Sequence, residues 1–264
     1  MSKKIAIIGG GNLGSAIAEG LIKSKFCKAA DITITKRNTS TLQHLSKKGV
    51  QVTADNDKAI KNAELVIVFA GLPDIYESEG YDRKNIDMPE GHNQLIAEVA
   101  KVNKNVIVVL MNGAAVSMPW KNDVKAIVEA YLGGQAGGGA VADVLTGRVN
   151  PSGKLSETFP VRTEDTPTAT DFPSKDGTAT YGEGIFIGYR YYDKKKIEPN
   201  FPFGYGLSYT TFQYSDIKSS AINAKDTDAI TISFKVKNTG AVAGKEIAEL
   251  YVHEQDSNIA RPEN

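Results

Sequence analysis

The feature that most constrains the fold is an apolar run that passes through glycines into an amphipathic segment, KIAIIGGGNLGSAIAEGL, residues 4–21. An uninterrupted apolar run of this kind is typical of a parallel strand that is buried on both faces of its sheet. After the glycines, Leu13, Ile17 and Leu21 recur at the spacing of one helical face. A buried strand followed at once by such a helix predicts a parallel α/β fold.

Three glycines of this segment have the GxGxxG spacing of a dinucleotide-binding loop: Gly9, Gly11 and Gly14. In the context of a strand and a helix, such glycines allow a tight turn, backbone approach to a pyrophosphate and close packing of the helix on the strand. The amino terminus of the helix then faces the anion. The alternative interpretation is a structural glycine turn without a ligand.

The alternation of strands and helices continues beyond the glycines. ITIT (32–35) is predicted as a strand, STLQHLSKKG (40–49) as a helix and AELVIVFA (63–70) as a third strand. Together these elements make the first βαβαβ half of a Rossmann unit. Lys36 and Arg37 follow the second strand, where cations attract a 2′-phosphate, so the pattern favours NADP as the cofactor.

Residues 1–68 contain three stretches that resemble pyrroline-5-carboxylate reductase: KIAIIGGGNLGSAIAEGLIKS, ITITKRN and VTADNDKAIKNAELVI. In that family the glycine loop and the basic segment hold NADPH, and the Asp-Asn run lies beside the adenosine. The resemblance therefore assigns cofactor contacts to nine residues: Gly9, Gly11, Asn12, Leu13, Gly14, Lys36, Arg37, Asn38 and Asn56. It ends at GLPD (71–74), and nothing downstream corresponds to the helical domain that completes the family's proline-forming site.

Five long motifs follow: VFAGLPDIYESEGYDR, MPEGHNQLI, NVIVVLMNGAAVSMPW, VKAIVEAYLGGQAGGGAVADVLTGRVNPSGKLSETFP and YGEGIFIGYRYYDKKKIEPNFPFGYGLSYTTF. In these motifs and in their order, residues 66–264 resemble family-3 glycoside hydrolases of the β-glucosidase kind. The resemblance implies the family's C-terminal α/β sandwich and the first strands of a fibronectin type III-like domain. It also implies hydrolysis of O-glycosidic bonds in carbohydrate metabolism, without a cofactor for the hydrolase part.

An acidic loop follows the strand at 63–70, with carboxylates at Asp74, Glu77, Glu79 and Asp82. A glycosidase needs one carboxylic acid to protonate the leaving oxygen and one carboxylate to attack or to activate water. The resemblance places the acid/base at Glu79, with Glu77 as the alternative. The family's nucleophile is an aspartate in a Ser-Asp-Trp motif of an N-terminal barrel, and no Ser-Asp-Trp occurs here. We therefore expect the isolated chain to act on a β-glucoside only if a barrel is supplied.

The middle of the chain again alternates between helix and strand. HNQLIAEVAK (92–101) predicts an amphipathic helix and NVIVVLM (105–111) a buried strand. A further helix is predicted from four residues at i, i+3, i+4 and i+7: Val124, Ile127, Val128 and Tyr131. The glycine-rich stretch at 133–139 lacks a following Gly-Lys-Ser/Thr and is interpreted as a close-packed turn. Trp120 is interpreted as a core residue, and the resemblance implies packing between domains for five tyrosines: Tyr181, Tyr189, Tyr191, Tyr192 and Tyr205.

The C-terminal part contains two alternating stretches, AITISFKVKNTG (229–240) and KEIAELYVHE (245–254), which predict strands. A fibronectin type III-like sandwich needs about seven strands, so this segment is expected to be incomplete. The sequence thus divides into a Rossmann-like half (1–70), an α/β domain (71–211) and a truncated fibronectin type III-like segment (212–264). The predicted class is α/β, a βαβαβ unit that continues into a parallel α/β sandwich.

The composition narrows the range of partners. Lys and Arg number 31 and Asp and Glu also number 31, so no net field favours nucleic acid or a membrane surface. Cys27 is the only cysteine and MSKKIAIIGG lacks the apolar core of a secretory signal, so a cytoplasmic location is expected. The sequence leaves the oligomeric state open.

Three functional hypotheses stay open at this point. The first is a β-glucosidase-like hydrolase by descent, and the second is an NADP-binding domain of a reductase. The third is a chimera of the two families without native activity, joined within residues 64–71, where a crossover in a shared strand would preserve the sheet.

Overall fold

The computed structural model describes residues 3–174, 176–225, 227–253, 256 and 260–262. Its centre is a six-stranded, wholly parallel sheet in the order β3-β2-β1-β4-β5-β6. The strands are β1 Ile5–Ile8, β2 Ile32–Thr35, β3 Gln51–Thr53, β4 Leu65–Gly71, β5 Val106–Met111 and β6 Ala126–Glu129. The chain first builds outward from β1 and then reverses to the other side of β1 at β4. This is the strand order of doubly wound nucleotide-binding sheets.

The helices of the described residues are α1 Asn12–Lys23, α2 Gln43–Lys47, α3 Asn56–Lys61, α4 Glu90–Val102, α5 Gly137–Leu145 and α6 Tyr189–Lys195. Helices α1, α2 and α5 cover one face of the sheet, and α3 and α4 cover the other. Because alternate residues of a strand point to opposite faces, β1 gives Ile5 and Ile7 to one core and Ala6 and Ile8 to the other. The predicted parallel α/β sandwich is therefore confirmed.

Strand β4 contains the place where the sequence predicted a junction between two families. It pairs with β1 on one side, from Ile5 against Leu65 to Ile8 against Val68, and with β5 on the other. It is the fourth strand of the chain and not the third, because the short edge strand β3 precedes it. The sheet is thus continuous through residues 64–71.

The helix predicted from Val124, Ile127, Val128 and Tyr131 is wrong. The stretch forms β6, which pairs in parallel with β5 from Ile107 against Ala126 to Leu110 against Glu129. A short apolar run fits a helix and a strand equally well by spacing alone, and here the open edge of β5 supplies hydrogen bonds that favour the strand. The run ends at Tyr131, whose φ of 46° leaves the extended conformation.

Helices α1 and α5 cross at unusually short range. A Cβ added to Gly138 would lie 2.4 Å from the Cβ of Ala16, and one added to Gly20 would lie 2.5 Å from the Cβ of Ala142. Only glycine fits at these two positions, because carbon atoms cannot approach so closely. The close-packed turn predicted at 133–139 is therefore only partly confirmed. Gly138 is closely packed, but it belongs to the helix α5, and Gly134, which has φ of +61° in the preceding turn, has open space around it.

The C-terminal part contains an antiparallel hairpin of β7 Phe212–Ser219 and β8 Ile232–Asn238. The strand predicted at 245–254 is wrong within the described residues, since positions 245–253 contain no strand. An alternating pattern becomes a strand only where a neighbouring strand takes up its backbone hydrogen bonds, and the described residues supply none there. Tyr189 lies edge-on to Tyr251, with ring centroids 5.7 Å apart, whereas Tyr181 is exposed, so packing between domains stays a prediction.

Trp120 is a core residue, as interpreted from the sequence. Its side chain is 2% exposed, and its indole N–H donates to Oδ1 of Asn93 at 2.8 Å.

Within the part of the chain that the structure describes, no helix has the length and apolar character needed to cross a membrane.

Candidate functional site

The candidate site lies where β4, β5 and β6 end, at the carboxyl edge of the sheet. Gly71, the last residue of β4, has φ of +151°, and a Cβ there would lie 1.9 Å from the carbonyl oxygen of Met111. Only glycine can therefore lead the chain off the sheet at this point. It opens the acidic loop, which we define as residues 72–83. The carbonyl oxygen of Gly71 lies 3.1 Å from Nδ1 of His92 in α4.

Glu77 attaches the acidic loop to the sheet. Its Oε2 accepts a hydrogen bond from the backbone N–H of Gly113, just beyond the end of β5, at 2.7 Å. At the start of the loop the N–H groups of Tyr76 and Glu77 both donate to the carbonyl of Pro73, which closes a turn. The hydroxyl of Tyr81 donates to the carbonyl of Asp74 and draws the two arms of the loop together.

Glu79 is placed differently from its neighbour. Its side chain is exposed, and its carboxylate makes no hydrogen bond or ion pair with any residue that the structure describes. The loop thus carries one carboxylate bound to the sheet edge, that of Glu77, and one free in solvent. Glu79 is therefore the more accessible of the two carboxylates, and its role as the acid/base stays a prediction.

Two residues of the site were missed in the sequence, Asn112 and Glu129. Asn112 is fully buried, and its Nδ2 donates to Oε2 of Glu129 at 3.2 Å. The other carboxylate oxygen of Glu129 accepts from the backbone N–H of Tyr131 at 2.9 Å. Burial raises the pKa of Glu129 to about 7, although both hydrogen bonds act in the opposite direction. The signal that could have found Glu129 is a carboxylate at the end of a strand, which the mistaken helix concealed.

Two further charged residues, Arg83 and Glu157, belong to the candidate site. Burial lowers the pKa of Arg83 in spite of the nearby carboxylates of Glu77, Asp87 and Glu157. Burial likewise raises the pKa of Glu157, while a hydrogen bond from the backbone of Ala115 and the charge of Arg83 oppose the rise. Nε and Nη2 of Arg83 are buried without a hydrogen-bond partner in the described part of the chain. The guanidinium therefore acts on these carboxylates mainly through its charge.

The predicted cofactor residues lie at the carboxyl ends of the other three strands. Gly9 has φ of +112°, and a Cβ on Gly14 would lie 2.1 Å from the carbonyl oxygen of Gly9, so the loop needs glycine at both positions. Gly11 has open space around it, and Asn12 begins α1. Leu13 packs at the edge of the core under α1.

The remaining predicted cofactor residues flank this glycine loop. Lys36 and Arg37 follow β2, partly buried and exposed respectively. Asn38 is exposed and accepts from the N–H of Ser40 at 3.2 Å, and Asn56 begins α3. All nine residues thus lie along one edge of the sheet. Their role in binding a nucleotide stays a prediction.

The described residues contain no group of three or more His, Cys, Asp or Glu side chains that could hold a metal ion. The molecule is thus a doubly wound α/β domain with a carboxylate-bearing loop at the carboxyl edge of its sheet. This is the architecture that the resemblance to family-3 glycoside hydrolases implied. The chain belongs to the glycosyl hydrolase family 3 C-terminal domain family, which it matches over residues 1–209.

Among its relatives, the chain is 56% identical to thermostable beta-glucosidase B of Acetivibrio thermocellus over 206 residues, covering 78% of this chain and 27% of the relative. It is 47% identical to probable beta-glucosidase I of Aspergillus flavus over 210 residues, covering 78% of this chain and 25% of the relative. The chain therefore spans about a quarter of the length of these relatives.

Solved structures agree with this assignment. A family 3 β-glucosidase from Bifidobacterium adolescentis superposes with a TM-score of 0.72 at 36% identity, covering 99% of this chain and 40% of that one. β-Glucosidase 3B from Thermotoga neapolitana in complex with glucose gives 0.70 at 30% identity, covering 90% and 38%. The family match begins at residue 1 and continues through residues 64–71, so it lends no support to a separate reductase lineage for residues 1–68.

Proposed function

We propose that the chain is the α/β sandwich of a β-glucosidase and that Glu79 is its acid/base. The observation that carries this proposal is the contrast within the acidic loop: Glu77 is bound to the N–H of Gly113, whereas Glu79 is exposed and free. In a retaining mechanism Glu79 protonates the glycosidic oxygen as the bond breaks. It then takes a proton from the water that hydrolyses the glycosyl-enzyme intermediate.

We propose that the nucleophile comes from outside the described residues. A retaining pair of carboxyl groups lies about 5 to 5.5 Å apart on opposite sides of the scissile bond, and in the family that the chain resembles the second carboxylate is an aspartate of a Ser-Asp-Trp motif, which does not occur in this sequence. We propose that the chain acts on a β-glucoside only together with a barrel that supplies this carboxylate. The relatives, which are about three times as long as this chain, offer the sequence in which such a barrel can be sought.

The test joins the chain to the N-terminal part of the Acetivibrio relative in place of that protein's own equivalent. We expect turnover of nitrophenyl β-glucoside by the fusion and none above background by the chain alone. Glu79→Gln should reduce turnover of alkyl glucosides strongly. It should slow the first step far less for a dinitrophenyl glucoside, because that leaving group needs no protonation.

Glu64→Gln, at an exposed carboxylate far from the loop, is the matched control and should behave as the unmodified fusion. If Glu79→Gln leaves turnover unchanged and Glu77→Gln reduces it by an amount that depends on the leaving group, Glu77 is the acid/base and not Glu79. Turnover by the unfused chain that Glu79→Gln abolishes would show that this chain supplies its own second carboxylate.

A second candidate function, NADP binding, is favoured by the strand order and by the glycine turn at the point where that order reverses. We propose that Lys36 and Arg37 would contact the 2′-phosphate. NADPH should then bind about tenfold or more tightly than NADH, since a charge-assisted hydrogen bond contributes about 1.5 to 3 kcal/mol. Arg37→Asp should reverse the preference, and Lys218→Asp in the hairpin should not. Equal affinity for the two nucleotides in fluorescence titration would remove this candidate.

A further inference from the structure

A series of hydrogen bonds leads from the end of β6 to the acidic loop. Glu129, the last residue of β6, accepts from the backbone N–H of Tyr131 with one oxygen and from the amide of Asn112 with the other. Asn112 directly follows β5. Glu129 therefore bridges the carboxyl ends of two neighbouring strands.

Asn112 in turn shapes the backbone that holds Glu77. Its Nδ2 donates to the carbonyl oxygen of Ala114 at 3.0 Å, which closes a turn around Gly113. This turn directs the N–H of Gly113 towards Oε2 of Glu77 at 2.7 Å. A Cβ on Gly113 would lie 3.1 Å from Oε1 of Glu77 and 3.2 Å from its Cδ, so the carboxylate lies directly against the glycine.

We propose that Glu129 is a positioning residue of the proposed hydrolase: through Asn112 and Gly113 it fixes the Glu77 contact and thereby the place of Glu79 in the acidic loop. Its part in catalysis rests on the proposed function. The positioning itself does not, because every contact lies within the described chain.

The charge on Glu129 controls the strength of these contacts. As a carboxylate it accepts with both oxygens, and hydrogen bonds to an ionised acceptor are about twice as strong as neutral ones. The charged groups around it are Glu157 and Glu77, which oppose its ionisation, while Arg83 lies beside both of these carboxylates and Asp87 faces Arg83. Burial brings the pKa of Glu129 to about 7. The contact between Glu77 and Gly113 is therefore expected to weaken as the pH falls through neutrality.

The test is a pH titration of the whole isotope-labelled chain by NMR, without a glucoside. The backbone amide of Gly113 and the side-chain amide of Asn112 should shift together with a midpoint near 7. Glu129→Gln should remove this inflection and raise the exchange rate of the Gly113 amide about threefold or more, because a neutral acceptor holds Asn112 about half as strongly as a carboxylate does. Glu77→Gln should move the Gly113 signal but leave the titration of Asn112 in place. Glu64→Gln is the control.

A Glu129 that stays ionised would still hold Asn112, so the titration tests only the dependence on pH, and an absent common inflection overturns that part. The positioning is overturned if the Gly113 amide exchanges at the same rate in Glu129→Gln as in the unmodified chain. It is also overturned if the Gly113 amide of the unmodified chain exchanges as fast as an unstructured amide, which needs no variant to fold. Glu79→Gln should keep the full titration of the Gly113 and Asn112 amides. If this variant does not affect hydrolysis, the assignment of Glu79 as the acid/base is refuted, whereas the positioning by Glu129 is not.

Discussion

The raised pKa of Glu129 makes the stability of the chain depend on pH in an unusual direction. Burial brings this pKa to about 7 in the folded chain, against an ordinary value of 4.5. Between these two values the folded chain binds more protons than the unfolded chain. The free energy of unfolding must then fall as the pH rises through this window, and it levels off above about 7. Paired carboxylates with lowered pKa values would give the opposite slope.

The magnitude follows from the distance between the two pKa values. Each unit corresponds to about 1.4 kcal/mol, so ionising Glu129 in the fold costs about 3 kcal/mol. This is a large fraction of the roughly 5 to 15 kcal/mol by which domains are stable. Glu157 acts in the same direction, because burial also raises its pKa. A variant is therefore needed to separate the two residues.

Glu129→Gln removes one titration and keeps nearly the same volume. The measurement is urea unfolding followed by circular dichroism between about pH 5 and about pH 8. The free energy of unfolding of the unmodified chain should fall over this range. In Glu129→Gln the fall should be about 3 kcal/mol smaller. Glu64→Gln should retain the full slope. Parallel curves for the unmodified chain and Glu129→Gln would refute the reasoning, since they would mean that Glu129 ionises alike in both states.

Two substitutions test the packing. Gly14→Ala should destabilise the chain by about 1 to 3 kcal/mol whether or not a nucleotide binds, because its Cβ would lie 2.1 Å from the carbonyl of Gly9. Gly11→Ala, with open space around it, should be nearly neutral. Equal urea midpoints for the two variants would contradict this prediction. Trp120→Phe should cost about 1 to 3 kcal/mol, since it loses buried volume and the hydrogen bond to Asn93, and an unchanged melting temperature would show that the core closes around the smaller ring.

The central strands and the longer helices could be predicted from the sequence, because their apolar residues are numerous enough to fix the periodicity. The residues of β6 could not. Val124, Ile127, Val128 and Tyr131 satisfy a helical spacing by coincidence, and only the free edge of β5 decides for a strand.

The candidate site was predictable only where one loop carries it. Glu77 and Glu79 belong to a contiguous motif, so the sequence could single out both, although the structure was needed to show that one is bound and the other free. Asn112 and Glu129 lie on different strands. Their contact depends on the register of β5 with β6, which no local pattern encodes.

The close crossing of α1 and α5 also determines when the chain can fold during synthesis. Helix α1 ends at Lys23 and α5 ends at Leu145, so about 120 residues separate the two partners. At about 5 to 20 residues per second a ribosome needs roughly 6 to 24 seconds to make that stretch. Throughout this time Gly20 lacks its contact with α5, and that face of the first helix is open to solvent. Nascent chains that stop before α5 therefore expose the surface of α1 that α5 covers in the complete fold.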